Sequence, residues 1–498
     1  MKRYIKPTIL FWLFLVGHTA VAQAPWPGQS GNSVGYAAYG SLGTTPWPGG
    51  DFTSGTSSSP TVYTGYVFTG NVTISSGTSW VIFVGCDFNI GTDNTLTLSG
   101  DHIYFIGSRF QSNDAQGANV KIVGATNLGF FYDSFVPEVS LFSSPPGGTW
   151  PSAGAGTNST TQTNGNSVPE GQGYQFPWYT SGSTEGPIVM DHCDLWGFGN
   201  AVAFSQTTAQ MTLTNNWMHD AGNSDSPTAG YYHTDGPGYL NGGTGPDNVL
   251  IVGNVIASLG NTNAFAFQAA DGGYSNIIVT SNYFSGFGNT ISPGDIGPTY
   301  LTNSVFYGNV FGTDVEPVDT WSHGNMASST NVWACNTVAF RSGTTWSVAG
   351  WTPSSFDNGL YWLNTTSAPP DSGMDQGGNT VCLNPAPSSL AWQHTSSVNQ
   401  NVTLTCSNTG TCTFSKIALT TGTQFSIVST TCGSSLSSGS SCGVTLRFNP
   451  TSLGIQQDTL QLKDNSPAPS SPQLVPLIGY SDGSVVAPPT NLTATVTP

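Results

Sequence analysis

Residues 211–218 read MTLTNNWM, 249–256 VLIVGNVI, 277–284 IIVTSNYF, 304–311 SVFYGNVF and 331–338 NVWACNTV. Positions one and three of these units are mostly apolar, and so is position eight. Alternation with period two means strands, and the change of phase between positions three and eight means that a turn separates two short strands. Working back along the chain, VIFVGCDF from Val81, IYFIGSRF from Ile103, LGFFYDSF from Leu128 and IVMDHCDL from Ile188 align on the same frame. Most units start 22 to 28 residues apart, and two longer spacings of 60 and 38 hold insertions.

Position six sits in the turn. It is Asn216, Asn254, Asn282, Asn309 and Asn336 in five consecutive units. Asn tolerates left-handed backbone, and its amide can bond the same group one repeat above and below. Gly199-Asn200, Gly222-Asn223, Gly260-Asn261 and Gly288-Asn289 recur at position thirteen, and a third apolar segment follows, such as AVAF from Ala201 and AFAF from Ala264. Repeats of this kind cannot bury an apolar face alone; stacking neighbours makes a continuous core.

The pattern resembles the pectate-lyase-like β-helix proteins, which also carry an Asn ladder in a short turn. The resemblance spans about residues 50 to 385. It implies an all-β fold, a right-handed single-stranded parallel β-helix with three strands per coil and about ten coils. From Pro387 the composition changes. NVTLTCSNTGTCTFSKIAL and TCGSSLSSGSSCGVTLRFNPTSLGIQQDTLQLKDN read as short alternating strands with polar turns, a small antiparallel β-sandwich. NTGT, CGSSLSSGSSC and VTLRFNPTSLG resemble the choice-of-anchor and abnormal-spindle type of immunoglobulin-like domain. Such modules act as spacers or surface contacts. The expected organisation is a signal peptide at 1–22, a helix domain at 23–386, a sandwich at 387–482, and a tail at 483–498 whose APPTNLTATV resembles the start of a fibronectin type III domain.

The signal peptide rests on basic Lys2, Arg3 and Lys6, the apolar run ILFWLFLVG and the small residues Ala20-Val21-Ala22. It points to a secreted, extracellular or cell-surface protein with no membrane insertion. The whole chain carries a formal charge of −17, and without the first 22 residues six basic residues face 26 acidic ones. Such a surface repels nucleic acid and gives no steering towards polyanionic sugars. Few charges among many Ser, Thr, Asn and Gly suit either work at low pH or ordinary extracellular solubility. The reading is of a monomer.

Export permits disulfides. Cys406–Cys412 and Cys432–Cys442 are the simplest pairs, though spacing alone does not settle them, and Cys335 and Cys382 could staple the end of the helix. Cys86 and Cys193 share position six three coils apart, roughly 14 Å, too far for a bridge.

The chemistry-bearing residues concentrate in the unit from Met211. His219, Asp220, Asp225, Tyr232, His233 and Asp235 fall within or beside its insertion, in a chain with seven histidines. Sugar cleavage commonly uses two carboxylates, one protonating the leaving oxygen while the other activates water or attacks carbon. Asp235 and Asp220 are the candidate pair, with His233 and His219 orienting them or shuttling protons. Trp196, Trp217 and Tyr232 are candidate platforms for sugars, and Asp271 and Asp295 could complete a cleft. The competing reading makes the aspartates turn residues, since Asp precedes Gly in tight turns; a metal site built from the same His and Asp is a third. Asp314, Glu316 and Asp319, with His323, form a weaker cluster for which calcium is the candidate ion. The insertion at 136–187, with Trp150, Tyr174, Phe176, Trp178 and Tyr179 among Gly, Ser and Thr, reads as a floppy excursion or as a loop walling a groove.

HTDG at 233–236 resembles the NTDG motif of polygalacturonases, whose Asp is catalytic. Those enzymes carry an Asp pair on the next coil, where this chain has Asn261-Thr262-Asn263. Pectate-lyase chemistry needs an Arg or Lys base and cationic neutralisation of a uronate, and the repeats offer only Arg109, Lys121 and Arg341. The expected function is therefore a glycoside hydrolase acting on a polysaccharide. The alternative is a non-catalytic adhesin or scaffold that binds a cell-surface glycan.

Overall fold

A computed structural model describes residues 34–91, 94–112, 120–137, 179–180, 186–196, 200–203, 210–219, 235–239, 247–258, 265–267, 274–286, 301–312, 332–334, 336–342, 345–350, 356–357, 360–361, 382–386, 390–392, 398–407, 410–451, 454–465 and 472–481. These residues are almost all strand, and their strands stack in parallel sheets. An eleven-stranded sheet runs from Thr61–Thr64 to Val332–Ala334. A twelve-stranded sheet runs from Thr45–Pro46 to Val310–Gly312 and ends on the antiparallel pair Thr337–Ser342 and Thr345–Gly350. Shorter parallel sheets join Val72–Ile74, Leu96–Leu98, Val120–Ile122 and Tyr179–Thr180, and join Asn200–Ala203, Asp235–Tyr239 and Ala266–Phe267.

Register follows the sequence repeat. Val81 pairs Ile103, Ile103 pairs Leu128, Leu128 pairs Ile188, Ile188 pairs Met211, Met211 pairs Val249 and Val249 pairs Ile277. Equal positions therefore stack, and equal side chains form columns. Phe68, Phe88, Phe110 and Phe135 stack at 4.6, 4.9 and 4.7 Å between centroids, tilted by 8 to 10°. Phe83, Phe105 and Phe130 do the same at 5.0 and 5.1 Å. These spacings match the distance between hydrogen-bonded strands, so backbone pairing and ring stacking reinforce each other. Trp47 and Phe52 close one end of the core against Tyr63, Tyr66 and Phe68.

The position-six column is a continuous buried ladder. The Asn254 side-chain oxygen accepts the backbone N–H and the amide of Asn216, each at 2.9 Å, while its own amide donates to the Leu213 carbonyl at 2.9 Å. Asn282, Asn309 and Asn336 repeat the pattern. The column continues with other residues: Cys193 N–H donates to Asn216, Ser108 N–H to Asp133, and Cys86 N–H to the Ser108 hydroxyl. Interior amides must be paired, and this column pairs them rung to rung.

One expectation changes here. The left-handed backbone is at position five, not six: Gly85, Gly107, Tyr132, His192, Asn215, Gly253, Ser281 and Gly308 all have φ between 54 and 68°. A second such column precedes position one, at Trp80, His102, Asn127, Asn248, Asn276 and Asn303. The Asn at position six is therefore there for its amide, and its neighbour makes the bend. Left-handed backbone costs non-glycine residues about 1 kcal/mol each. Stacking offsets part of that cost: Tyr132 lies on His192 at 4.7 Å and Trp80 on His102 at 3.8 Å.

Residues 34–47 run back along the position-five bends. Gly35 N–H donates to the His192 carbonyl, Tyr36 N–H to the Ser134 hydroxyl and Gly43 N–H to the Gly85 carbonyl. A Cβ at Gly35 would lie 2.4 Å from the Ser134 hydroxyl and 2.8 Å from the Asp194 Cβ, so only glycine fits at φ 73°.

The C-terminal residues form two four-stranded sheets around Trp392, Val402, Leu404, Phe425, Leu446 and Leu477. Its first strand, Cys382–Ala386, pairs with Asn399–Ser407, so this sheet takes in residues ahead of the expected boundary at 387. Cys406–Cys412 and Cys432–Cys442 are disulfides, as the spacing suggested. Cys86 and Cys193 are free and buried, and Cys335 lies outside the described residues.

Candidate functional site

The stretch richest in His and Asp is flanked by the strands Trp217–His219 and Asp235–Tyr239. His219 ends the strand Trp217–His219 and pairs in register with Trp196 on one side and Ala257 on the other. Asp235 begins Asp235–Tyr239 and pairs with Asn200. Trp196 and Asn200 are four residues apart in the chain, hence at most ~14 Å. His219 and Asp235, 16 residues apart, occupy the next rung at those two positions. The insertion at 220–234 therefore begins and ends at one corner. Asp235 stacks in register on the Asn of the Gly199-Asn200 pair.

The side chains of Asp235, His219 and Trp196 lie outside the described residues, as do Asp220, Tyr232, His233, Asp271, Asp295, Asp314, Glu316, Asp319 and His323 in full. Trp217 is described. Its ring is half-buried against Val255, Tyr283 and Val310 on the outer face of the twelve-stranded sheet. One side of the ring is thus occupied by protein.

Arg109 is not a free base. It donates to both Asp87 oxygens, at 3.1 and 2.7 Å, and lies over the Tyr36 ring at 5.5 Å. Gln111 adds a third bond to Asp87 at 2.7 Å. Burial disfavours the charge on Arg109, but the Asp87 carboxylate more than restores it and raises its pKa above the usual value.

Two buried carboxyls escaped the sequence reading. Asp191 bonds the Thr214 hydroxyl at 2.5 Å and the Asn215 amide at 3.1 Å, and His192 Nδ1 lies 2.8 Å from its other oxygen. Asp133 occupies the ladder, and complete burial drives its pKa well up, against the opposing pull of the Ser108 and Phe131 N–H groups. Its place at position six of LGFFYDSF was the available signal. Burial also pushes the Cys86 thiol up to about 11 and the Cys193 thiol well above the ordinary range. Neither is an activated nucleophile. Among the described residues no group of three or more His, Cys, Asp or Glu is arranged to hold a metal ion. No described helix is long and apolar enough to cross a membrane.

No family model matches the chain, and no curated protein matches it. Among solved structures, tailspike protein 3 of bacteriophage CBA120 is similar at 11% identity, over 57% of this chain and 45% of that one, with a TM-score of 0.22. The VesB protease of Vibrio cholerae is similar at 16% identity over 27% of this chain and 40% of its own, TM-score 0.18. The secreted serine protease VesC of Vibrio cholerae is similar at 20% identity over 24% and 27%, TM-score 0.18. This chain thus spans less than half of each. Superpositions this loose carry no argument about fold or chemistry.

Proposed function

We propose that this is a secreted right-handed parallel β-helix, with three strands per coil and about ten coils, that cleaves a polysaccharide at the corner where His219 and Asp235 flank residues 220–234. The supporting observation is the register that brings His219 and Asp235 to one corner, on successive sides of the insertion carrying Asp220 and His233. Asp235 and Asp220 serve as the carboxylate pair, one protonating the leaving oxygen and the other activating water or attacking the anomeric carbon. His219 and His233 orient them. Rungs about 4.8 Å apart make either separation used by glycosidases reachable from one corner. The scarcity of basic residues favours a neutral or weakly charged glycan. The likeness of residues 387–482 to immunoglobulin-like modules fits a chain that works outside the cell, as do its two disulfides.

A panel of polysaccharides at pH 4 and pH 6.5, with and without calcium, tests this. Reducing ends without unsaturated uronate, lost in Asp235→Asn, are expected. Unsaturated product would make the chain a lyase. Glycan binding without any product would leave the adhesin or scaffold reading.

A further inference from the structure

The sandwich touches the stack at two widely separated rungs. At one, the Tyr307 hydroxyl accepts from Leu383 N–H at 2.8 Å and from the Gln473 amide at 3.0 Å, and donates to the Leu383 carbonyl at 3.2 Å. At the other, Ile478 is buried with Ile82, Tyr104, Ile106, Phe131 and Val189 on the outer face of the eleven-stranded sheet. Beside it, Tyr39, Tyr132, Asp191 and Trp392 line a small cavity.

Gln473 and Ile478 lie in one strand, Gln473–Ser481. Five residues of strand span ~17 Å. Ile478 packs among the rungs from Val81, Ile103, Leu128 and Ile188, and the last of these is four repeats from the unit of Ser304, ~19 Å at one rung per repeat. The two lengths agree, so this strand runs along the stacking axis, across the rungs rather than beside one of them. Of the outward position-four residues between the anchors, Asp191, Thr214 and Val252 are 0% exposed and Tyr307 3%, while Thr280 is half-buried. The rungs between the two anchors include those from Met211 and Val249, which bracket the insertion at 220–234.

A stacked-repeat fold is held by nearest-neighbour interfaces, so local opening between any two rungs is its characteristic weakness. We propose that the strand Gln473–Ser481 is a splint: it couples rungs four repeats apart and suppresses opening of the rungs between them, independently of any activity. The module is then a part of the stack's stability rather than a spacer behind it.

Hydrogen exchange of the full chain tests this. Tyr307→Phe removes one hydroxyl and leaves Leu383 without its partner. Amides of Met211–Thr214, Asp247–Val252 and Tyr274–Thr280 should then exchange about tenfold faster, the effect of one lost buried bonding group. Gly454–Lys463, inside the sandwich, should keep its rate. Ile478→Ser, at the other anchor, should give the same pattern, and Gln473→Ala is the milder variant if either fails to fold. Unchanged exchange in the three intervening strands, or equal acceleration of Gly454–Lys463, would overturn the splint.

Discussion

The carboxyl of Asp133 accepts the backbone N–H of Ser108 at 2.6 Å inside a column where five other repeats place asparagine. It is fully buried, and its second oxygen takes Phe131 N–H at 3.1 Å. Burial favours the neutral acid, so the folded state holds this proton to higher pH than the unfolded chain does. Its stabilising contribution is complete below the unfolded pKa, near 4. It is lost as pH rises towards the folded value, by up to ~1.4 kcal/mol per pH unit. Asp133→Asn abolishes this loss. The variant should match the parent in urea near pH 3 and exceed it at pH 7. Equal stability at pH 7 would show that the carboxyl is charged and solvated there.

The interior of the Asn ladder should be more sensitive than its end. Asn254→Ala takes the acceptor from the Asn216 N–H and from one of the two Asn216 amide bonds (the other goes to the Met190 carbonyl), and the side-chain donor from the Leu213 carbonyl, costing about 2–4 kcal/mol. Asn336→Ala takes the acceptor from the Asn309 N–H and from one of the two Asn309 amide bonds (the other goes to the Val279 carbonyl), and the side-chain donor from the Phe306 carbonyl, on a rung that already ends the parallel run. A smaller loss is expected there, about 1–2 kcal/mol. Urea midpoints of the two variants give the comparison, and equal losses would contradict it.

Ser281 has a φ of 57° in a column where Gly85, Gly107, Gly253 and Gly308 occupy the equivalent bend. Ser281→Gly should raise stability by about 0.5–1 kcal/mol, since relief of left-handed strain exceeds the added unfolded-state entropy. His192→Gly should not gain, because it also removes the stacking on Tyr132 and the Asp191 partner. Thermal unfolding of both variants would separate strain from stacking.

Asp87→Asn leaves the half-buried Arg109 guanidinium facing a neutral amide. A loss of about 2–3 kcal/mol is expected. Asp87→Asn with Arg109→Met should recover much of it, as both charges are then gone. A double variant no better than the single would mean that Arg109 contributes through Tyr36 instead.

Period-two alternation and the column of Asn216, Asn254, Asn282, Asn309 and Asn336 were enough to align nine units, and the observed register follows that alignment. A one-residue slip would turn every core side chain outward, so the apolar pattern admits one register. The site was legible only as a concentration of His and Asp near a corner. That His219 and Asp235 occupy opposite ends of one short corner became visible through their pairing with Trp196 and Asn200. The cover over the outer sheet had a signal that went unused: Ile82, Tyr104, Ile106, Phe131 and Val189 are apolar at positions where an uncovered sheet would be polar.

Read alone, the sequence determined the repeating strand and the ladder, and offered the two close cysteine pairs of the sandwich as the simplest disulfides, because each depends on spacing along the chain or on identity at one recurring position. Only the tertiary structure decided that residues 34–47 run back along the bends, that the sandwich strand crosses the rungs between Ile478 and Tyr307, and that Trp217 is packed against Val255, Tyr283 and Val310. Those contacts join segments far apart in sequence and share no period with them. Their free energy comes from matched surfaces, which only the assembled stack creates.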